Sequence, residues 1–228
     1  MYRLAAFDLD STLAELGRGV LQADMALLRE LEARGTTVAI CSGKSVDYLT
    51  GFARQMNLTR PVLIGENGAV VQIGVDLPPK GFYVLPYSEK AKRSISLLKE
   101  MITERLPHIW FQADMVGITP FPTTDEEFAI VEDCISSAMD GLEDIDIFRH
   151  CDSVDIVPRG TNKGRGLKFL CELLEIEPSQ VAAIGDGSND YPMFDFAGLA
   201  LGVNVKDKSK VDIDFPTAGE AITYLINI

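Results

Sequence analysis

Four separated stretches of the 228-residue chain carry side chains able to do chemistry. Asp8 and Asp10 stand at the end of an apolar run at residues 4–9, Asp8 within it and Asp10 just past it. Two carboxylates at the end of a buried strand can supply a nucleophile and a proton donor, or can simply cap a turn. Ser42 and Gly43 follow a second apolar run, residues 36–41. A hydroxyl and backbone N–H groups at a strand-to-helix turn suit an oxyanion, and equally an ordinary N-cap. Lys163 opens a helical pattern after Gly160-Thr161-Asn162. A cation there is unfavourable against the helix dipole and hints at a local anion, although a solvated charge is the plainer reading. The sharpest stretch is Gly185-Asp186-Gly187-Ser188-Asn189-Asp190, just past residues 181–184. Its glycines allow a tight turn. A calcium loop is the alternative, but the spacing lacks the closing glutamate of an EF-hand.

The elements that must position these residues alternate. Strand patterns at 4–9, 36–41 and 61–64 are separated by helical patterns at 22–34 and 45–56, which predicts βαβ units in a mainly parallel sheet. Near Leu77-Pro78-Pro79 the rhythm breaks. A strand (82–86), a helix (89–105), two short strands (109–112 and 116–119), a second helix (125–139) and two more strands (145–148 and 154–157) read as a separate α+β unit with a small antiparallel sheet. The βα rhythm resumes with a helix at 163–174, strands at 181–184 and 199–203, and a last helix at 219–226. The expectation is an α/β protein with a Rossmann-like core at 1–81 plus 158–228 and an inserted α+β domain at 82–157. Ligands bind open parallel sheets at the carboxyl ends of the strands. Asp8, Asp10, Asp186 and Asp190 are therefore expected at one edge, where their mutual repulsion calls for a cation. An all-oxygen donor set suits magnesium.

Composition narrows the rest. The formal net charge is −13, a sign that repels nucleic acid and anionic membranes. No apolar run approaches the roughly 20 residues that span a bilayer, and the amino terminus lacks a signal-peptide pattern. Cys41, Cys134, Cys151 and Cys171 form no Cys-x-x-Cys pair and read as idle thiols in a reducing cytoplasm.

Asp8-Leu9-Asp10-Ser11-Thr12, Ser42, Lys163 and Gly185-Asp186-Gly187-Ser188-Asn189-Asp190 together resemble the four motifs of the haloacid dehalogenase-like hydrolase superfamily, in order and across the whole chain. The insert resembles that family's C2B-type cap. Gly65-Glu66-Asn67-Gly68-Ala69 and Pro192-Met193-Phe194 also look like this subgroup, which includes Cof-type, archaeal-type phosphoglycolate and sucrose-phosphate phosphatases. Ser11 departs from the pattern, which usually has glycine there.

The resemblance implies a magnesium-dependent phosphatase acting on a small phosphate ester, phosphoglycolate or a sugar phosphate. Asp8 is implied as nucleophile and Asp10 as general acid and base. Lys163 and Ser42 would stabilise the transferring group, Gly43 and Asn189 would add phosphate contacts, and Thr12 would support the loop. Magnesium would be held by Asp8, the Asp10 carbonyl and Asp186, with Asp190 either as a ligand or as a group behind them. The insert would close over the site, where Arg149 and His150 are candidates to face substrate, Trp110 reads as packing, and His108 has no evident role. A monomer or homodimer with no nucleic-acid or membrane partner is expected. A phosphomannomutase-like mutase, a receiver-type phospho-acceptor and a regulatory binding protein with a silent site are the rivals.

Overall fold

The computed structural model describes residues 2–228. In chain order, β1 (Leu4–Asp8), α1 (Gln22–Ala33), β2 (Thr37–Cys41), α2 (Val46–Met56), β3 (Val62–Gly65), β4 (Val70–Ile73) and β5 (Gly81–Val84) come first. They are followed by α3 (Glu89–Arg105), β6 (Trp110–Phe111), β7 (Pro120–Phe121), α4 (Asp125–Ala138), β8 (Ile145–Arg149) and β9 (Val154–Pro158). The last stretch holds α5 (Lys163–Leu174), β10 (Val181–Gly185), α6 (Tyr191–Phe196), β11 (Leu199–Val203), β12 (Ile213–Phe215) and α7 (Ala218–Asn227). The chain divides into two compact units, Met1–Leu85 with Asn162–Ile228, and Pro86–Thr161.

The first unit is built on an eight-stranded sheet in the order β12-β11-β10-β1-β2-β3-β4-β5. Pairing is parallel from β12 to β3 and antiparallel for β4 and β5. Every residue of β1, β10 and β11 is buried, which explains why their sequences read as unbroken apolar runs. Outer β5 alternates between half-buried and exposed positions, as an edge strand does. The strand that sequence assigned to the insert (82–86) thus belongs to the large sheet, and the Pro78-Pro79 break is only the connection between β4 and β5. Tyr83 of β5 packs its ring 5.5 Å from Phe169 of α5, anchoring the strand to this core. Three elements carried no clear sequence pattern: β4, β12 and α6 are only four, three and six residues long.

The second unit packs α3 and α4 around Leu98, Ile102, Val131, Ile135 and Ile156. Its strands form two hairpins, β6–β7 and β8–β9. The strand expected at 116–119 pairs instead at 120–121, because Ile118 is drawn into a bridge with Ile156 of β9. Gly117 lies against the Ile156 carbonyl, where a Cβ would come within 2.9 Å. Among the described residues, no helix is long and apolar enough to cross a membrane.

Candidate active site

Sheet register brings the chemical residues together. Asp8 pairs with Cys41 across β1–β2, and Phe7 pairs with Ile184 across β1–β10. The carboxyl ends of three adjacent strands therefore stop level, placing Asp8, Ser42 and the loop that starts at Asp186 along one edge. Gly185 is required there: a Cβ would collide with the Asp190 carboxylate. Gly164 plays the same part in α5, where a Cβ would run into the Pro192 carbonyl. These close approaches let the start of α5 reach the edge.

Lys163 is the first residue of α5 and is fully buried. Its Nζ donates to Asp8 Oδ1 at 2.5 Å and to Asp190 Oδ1 at 2.6 Å. Asp190 turns its other oxygen to the N–H groups of Asp186 and Gly187, at 3.0 and 3.1 Å. Thr12 donates its hydroxyl to Asp186 Oδ1 at 3.2 Å. One carboxylate oxygen each of Asp8, Asp186 and Asp190 lies within 4.8 Å of the others, a grouping that could hold a metal ion.

The electrostatics follow from burial and charge count. Burial pushes the Asp8 carboxyl up to about 7; Lys163 pulls against it and the Asp190 charge adds to it. Asp186 is raised for the same reasons, burial first and Asp190 next. Burial alone would lower Lys163, yet Asp8 and Asp190 carry it above the ordinary lysine value. Three carboxylates face one ammonium, so the cluster keeps an excess of negative charge that a cation would offset.

The other expected residues divide. Ser42 is buried; its Oγ accepts from the Lys44 N–H at 3.2 Å and its carbonyl from the Asn67 N–H at 3.1 Å. Gly43 lies against the Asn67 amide, where a Cβ would come within 3.3 Å. Asp10 is half-buried, and its carboxylate is outside the group of three. Its charge acts on Tyr48, whose phenol is raised by burial and then by Asp10. Asn189 is exposed, with its side chain folded over Gly187. Ser11 has φ 67°, the left-handed region that glycine adopts without strain, which accounts for the glycine usual in the resembling motif.

In the second unit, Arg149 makes a two-point pair with Glu132 at 2.6 and 2.8 Å. His150 lies 3.2 Å from Asp155, and His108 pairs with Glu127 at 2.7 Å. Trp110 packs edge-on against Phe121 at 5.0 Å but is 61% exposed, so it is not a core residue.

Sequence reasoning assigned no role to the Glu66-Asn67-Gly68 turn. All three residues have positive φ, and the Glu66 and Asn67 N–H groups hold the carbonyls of Lys44 and Ser42. Its Asn-Gly pair is the local signal for such a left-handed turn.

Known proteins resemble this chain over nearly its full length. A family model described as sucrose-6F-phosphate phosphohydrolase matches residues 2–218. A phosphoglycolate phosphatase of Methanopyrus kandleri is 28% identical, over 99% of this chain and 96% of its own. An HMP-PP phosphatase of Yersinia pseudotuberculosis is 25% identical, over 88% of this chain and 83% of its own. A haloacid dehalogenase-like hydrolase from Bacteroides thetaiotaomicron superposes with a TM-score of 0.82 at 18% identity, covering 99% of this chain and all of its own, and so shares the fold. The matched family model, the phosphatase relatives and the shared fold place this chain in the sucrose-6F-phosphate phosphohydrolase family of haloacid dehalogenase-like hydrolases, as a phosphoric monoester hydrolase.

Proposed function

We propose that the chain is a magnesium-dependent phosphatase that hydrolyses a small phosphate monoester through an aspartyl-phosphate on Asp8. The observation that carries this reading is the buried Lys163 ammonium held between Asp8 and Asp190, with Asp186 beside them. The donor set is all oxygen and its charge excess is negative, which fits a hard divalent cation. Asp8, Asp186 and the main-chain carbonyl of Asp10 would hold the ion, with Asp190 as a further ligand or directly behind them. The ion would supply charge neutralisation for a dianionic phosphoryl group.

The chain's own residues do the rest. A carboxylate oxygen of Asp8 attacks phosphorus, and the bond to the leaving oxygen breaks. Asp10 gives that oxygen a proton. Asp10 then takes a proton from a water molecule, which attacks the acyl phosphate and releases inorganic phosphate. Lys163 favours the ionised form of Asp8 and neutralises the transferring group, while Ser42, Gly43 and Asn189 hydrogen-bond its oxygens. Asp190 holds Lys163 with one oxygen and the 186–187 loop with the other. The family description and the relatives point to a sugar phosphate or phosphoglycolate as substrate. Four free cysteines, three of them buried, suit a reducing cytoplasm.

The test is hydrolysis of a panel containing 2-phosphoglycolate and sucrose 6-phosphate, with magnesium or with excess chelator. Turnover of at least one ester should require magnesium. Asp8→Asn should lose about 10⁴-fold or more in turnover with its fold retained. Full activity in chelator, or in Asp8→Asn, would sink the reading.

A further inference from the structure

A cavity of about 530 Å³ opens between α1 and α2 in the first unit, a volume in the range of small-molecule sites. Tyr48, Phe52 and Met56 stand four residues apart and so form a stripe down one face of α2. The two rings lie 5.2 Å apart. Exposure falls along the stripe, from 45% at Tyr48 through half-buried Phe52 to 1% at Met56. Tyr48 is therefore the mouth of the cavity and Met56 its floor. Val20 and Met25 of α1 close the far side. No charged side chain is among the lining residues, so the walls suit a neutral, apolar group.

Two glycines hold this space open. Gly51 lies inside α2 and Gly19 shortly before α1, and both line the cavity. Neither has a positive φ, and a Cβ on either would meet nothing within 4 Å. Backbone conformation and packing thus give no reason for glycine, and glycine inside a helix weakens it. What the missing side chains leave is room beside the aromatic stripe. The mouth lies toward the reactive edge of the sheet. Tyr48 is in the first turn of α2, whose capping residue Ser45 comes just after Ser42 and Gly43. Burial and then the charge of Asp10 raise the Tyr48 phenol, so the proton donor acts at this mouth.

We propose that this cavity seats the leaving group of the phosphate ester, and that this group is an apolar ring of about the size of benzyl alcohol. The ring lies against Tyr48 and Phe52, and its ester oxygen points back to Asp10, which protonates it. The inference rests on the phosphatase reading and narrows its substrate class. A two-carbon leaving group, such as that of phosphoglycolate, leaves the cavity empty. Burial of the ring is the same before and during phosphoryl transfer, so its effect falls on KM more than on kcat.

Steady-state kinetics of the full chain with magnesium would test it, on ethyl phosphate, benzyl phosphate and 2-phosphoglycolate. The first two differ only in a methyl against a phenyl group. Benzyl phosphate should exceed both others in kcat/KM by at least about tenfold, mainly through KM. Gly51→Leu fills the cavity and should cut that preference at least about tenfold. Its unfolding midpoint should rise by about 3 °C, because a glycine has left a helix. Gly51→Ala should gain a similar rise yet keep most of the preference, since one methyl leaves the ring its room. Turnover of ethyl phosphate, 2-phosphoglycolate or sucrose 6-phosphate with no preference for the benzyl ester would overturn the inference and leave the phosphatase reading standing. A full preference retained in Gly51→Leu would overturn it too. No turnover of any of these esters would sink the phosphatase reading and the inference with it.

Discussion

Two regions of the first unit bury carboxylates to similar depth and treat them in opposite ways. Glu32, at the end of α1, is 9% exposed and receives the N–H groups of Thr59 and Arg60, each at 2.7 Å, and the Thr59 hydroxyl. Burial would raise its pKa, yet those donors hold it below the ordinary glutamate value. At the carboxyl edge of the sheet, Asp8 is 4% exposed and shares one ammonium with Asp190, while Asp186 adds a third negative charge. Its pKa is raised. The difference is the supply of donors rather than depth. Donors turn a buried acid into a structural bracket, whereas an excess of charge leaves it reactive and open to a cation.

Removing the single ammonium should break the contrast most severely. Lys163→Met leaves Asp8 and Asp190 buried without their cation. We expect about a 10³-fold loss of turnover and about 3 kcal/mol of stability, read by kinetics and chemical denaturation. Unchanged turnover would make Lys163 a packing residue.

Magnesium addition should sharpen it. An acid with a raised folded pKa contributes stability while protonated, and that contribution is lost as pH rises through about 7 for Asp8. Added magnesium should therefore raise the unfolding midpoint more at about pH 8, where no proton competes, than at about pH 5.5, with up to about 3 kcal/mol at saturation. An equal shift at both values would place the ion elsewhere.

Glu32→Ala should cost about 2–3 kcal/mol by orphaning buried donors, with turnover per folded molecule unchanged. Glu32's folded pKa is lowered, so its contribution is present above the unfolded value and is lost as pH falls through the folded one. The stability gap between wild type and Glu32→Ala should narrow in acid. Smallest of all, Ser11→Gly should stabilise by about 0.5 kcal/mol, because glycine relieves the left-handed backbone but widens the unfolded ensemble.

Much of this was legible in the chain. Asp8, Ser42, Lys163 and Asp186 each follow or open a strongly patterned element, and the apolar runs of β1, β2 and β10 are long enough to be read as strands. The insert's helices were equally plain. Short elements were not: β4 and β12 owe their place to neighbours in the sheet rather than to their own residues, and the strand pattern at 82–86 points to the insert whereas β5 pairs with β4 in the large sheet. Local periodicity records which face a segment buries, but not which segment it pairs with.

Sequence by itself determined the chemical inventory, the βα rhythm and the order of the motifs, because residue type and local periodicity act over a few positions. Tertiary structure alone decided that Lys163 lies between Asp8 and Asp190, that Asp10 and Asn189 stand outside the acid group, and that Glu32 receives three donors. Those outcomes depend on sheet register and helix placement that join residues from 27 to 155 positions apart, and a charge's behaviour is set by what packs around it in space.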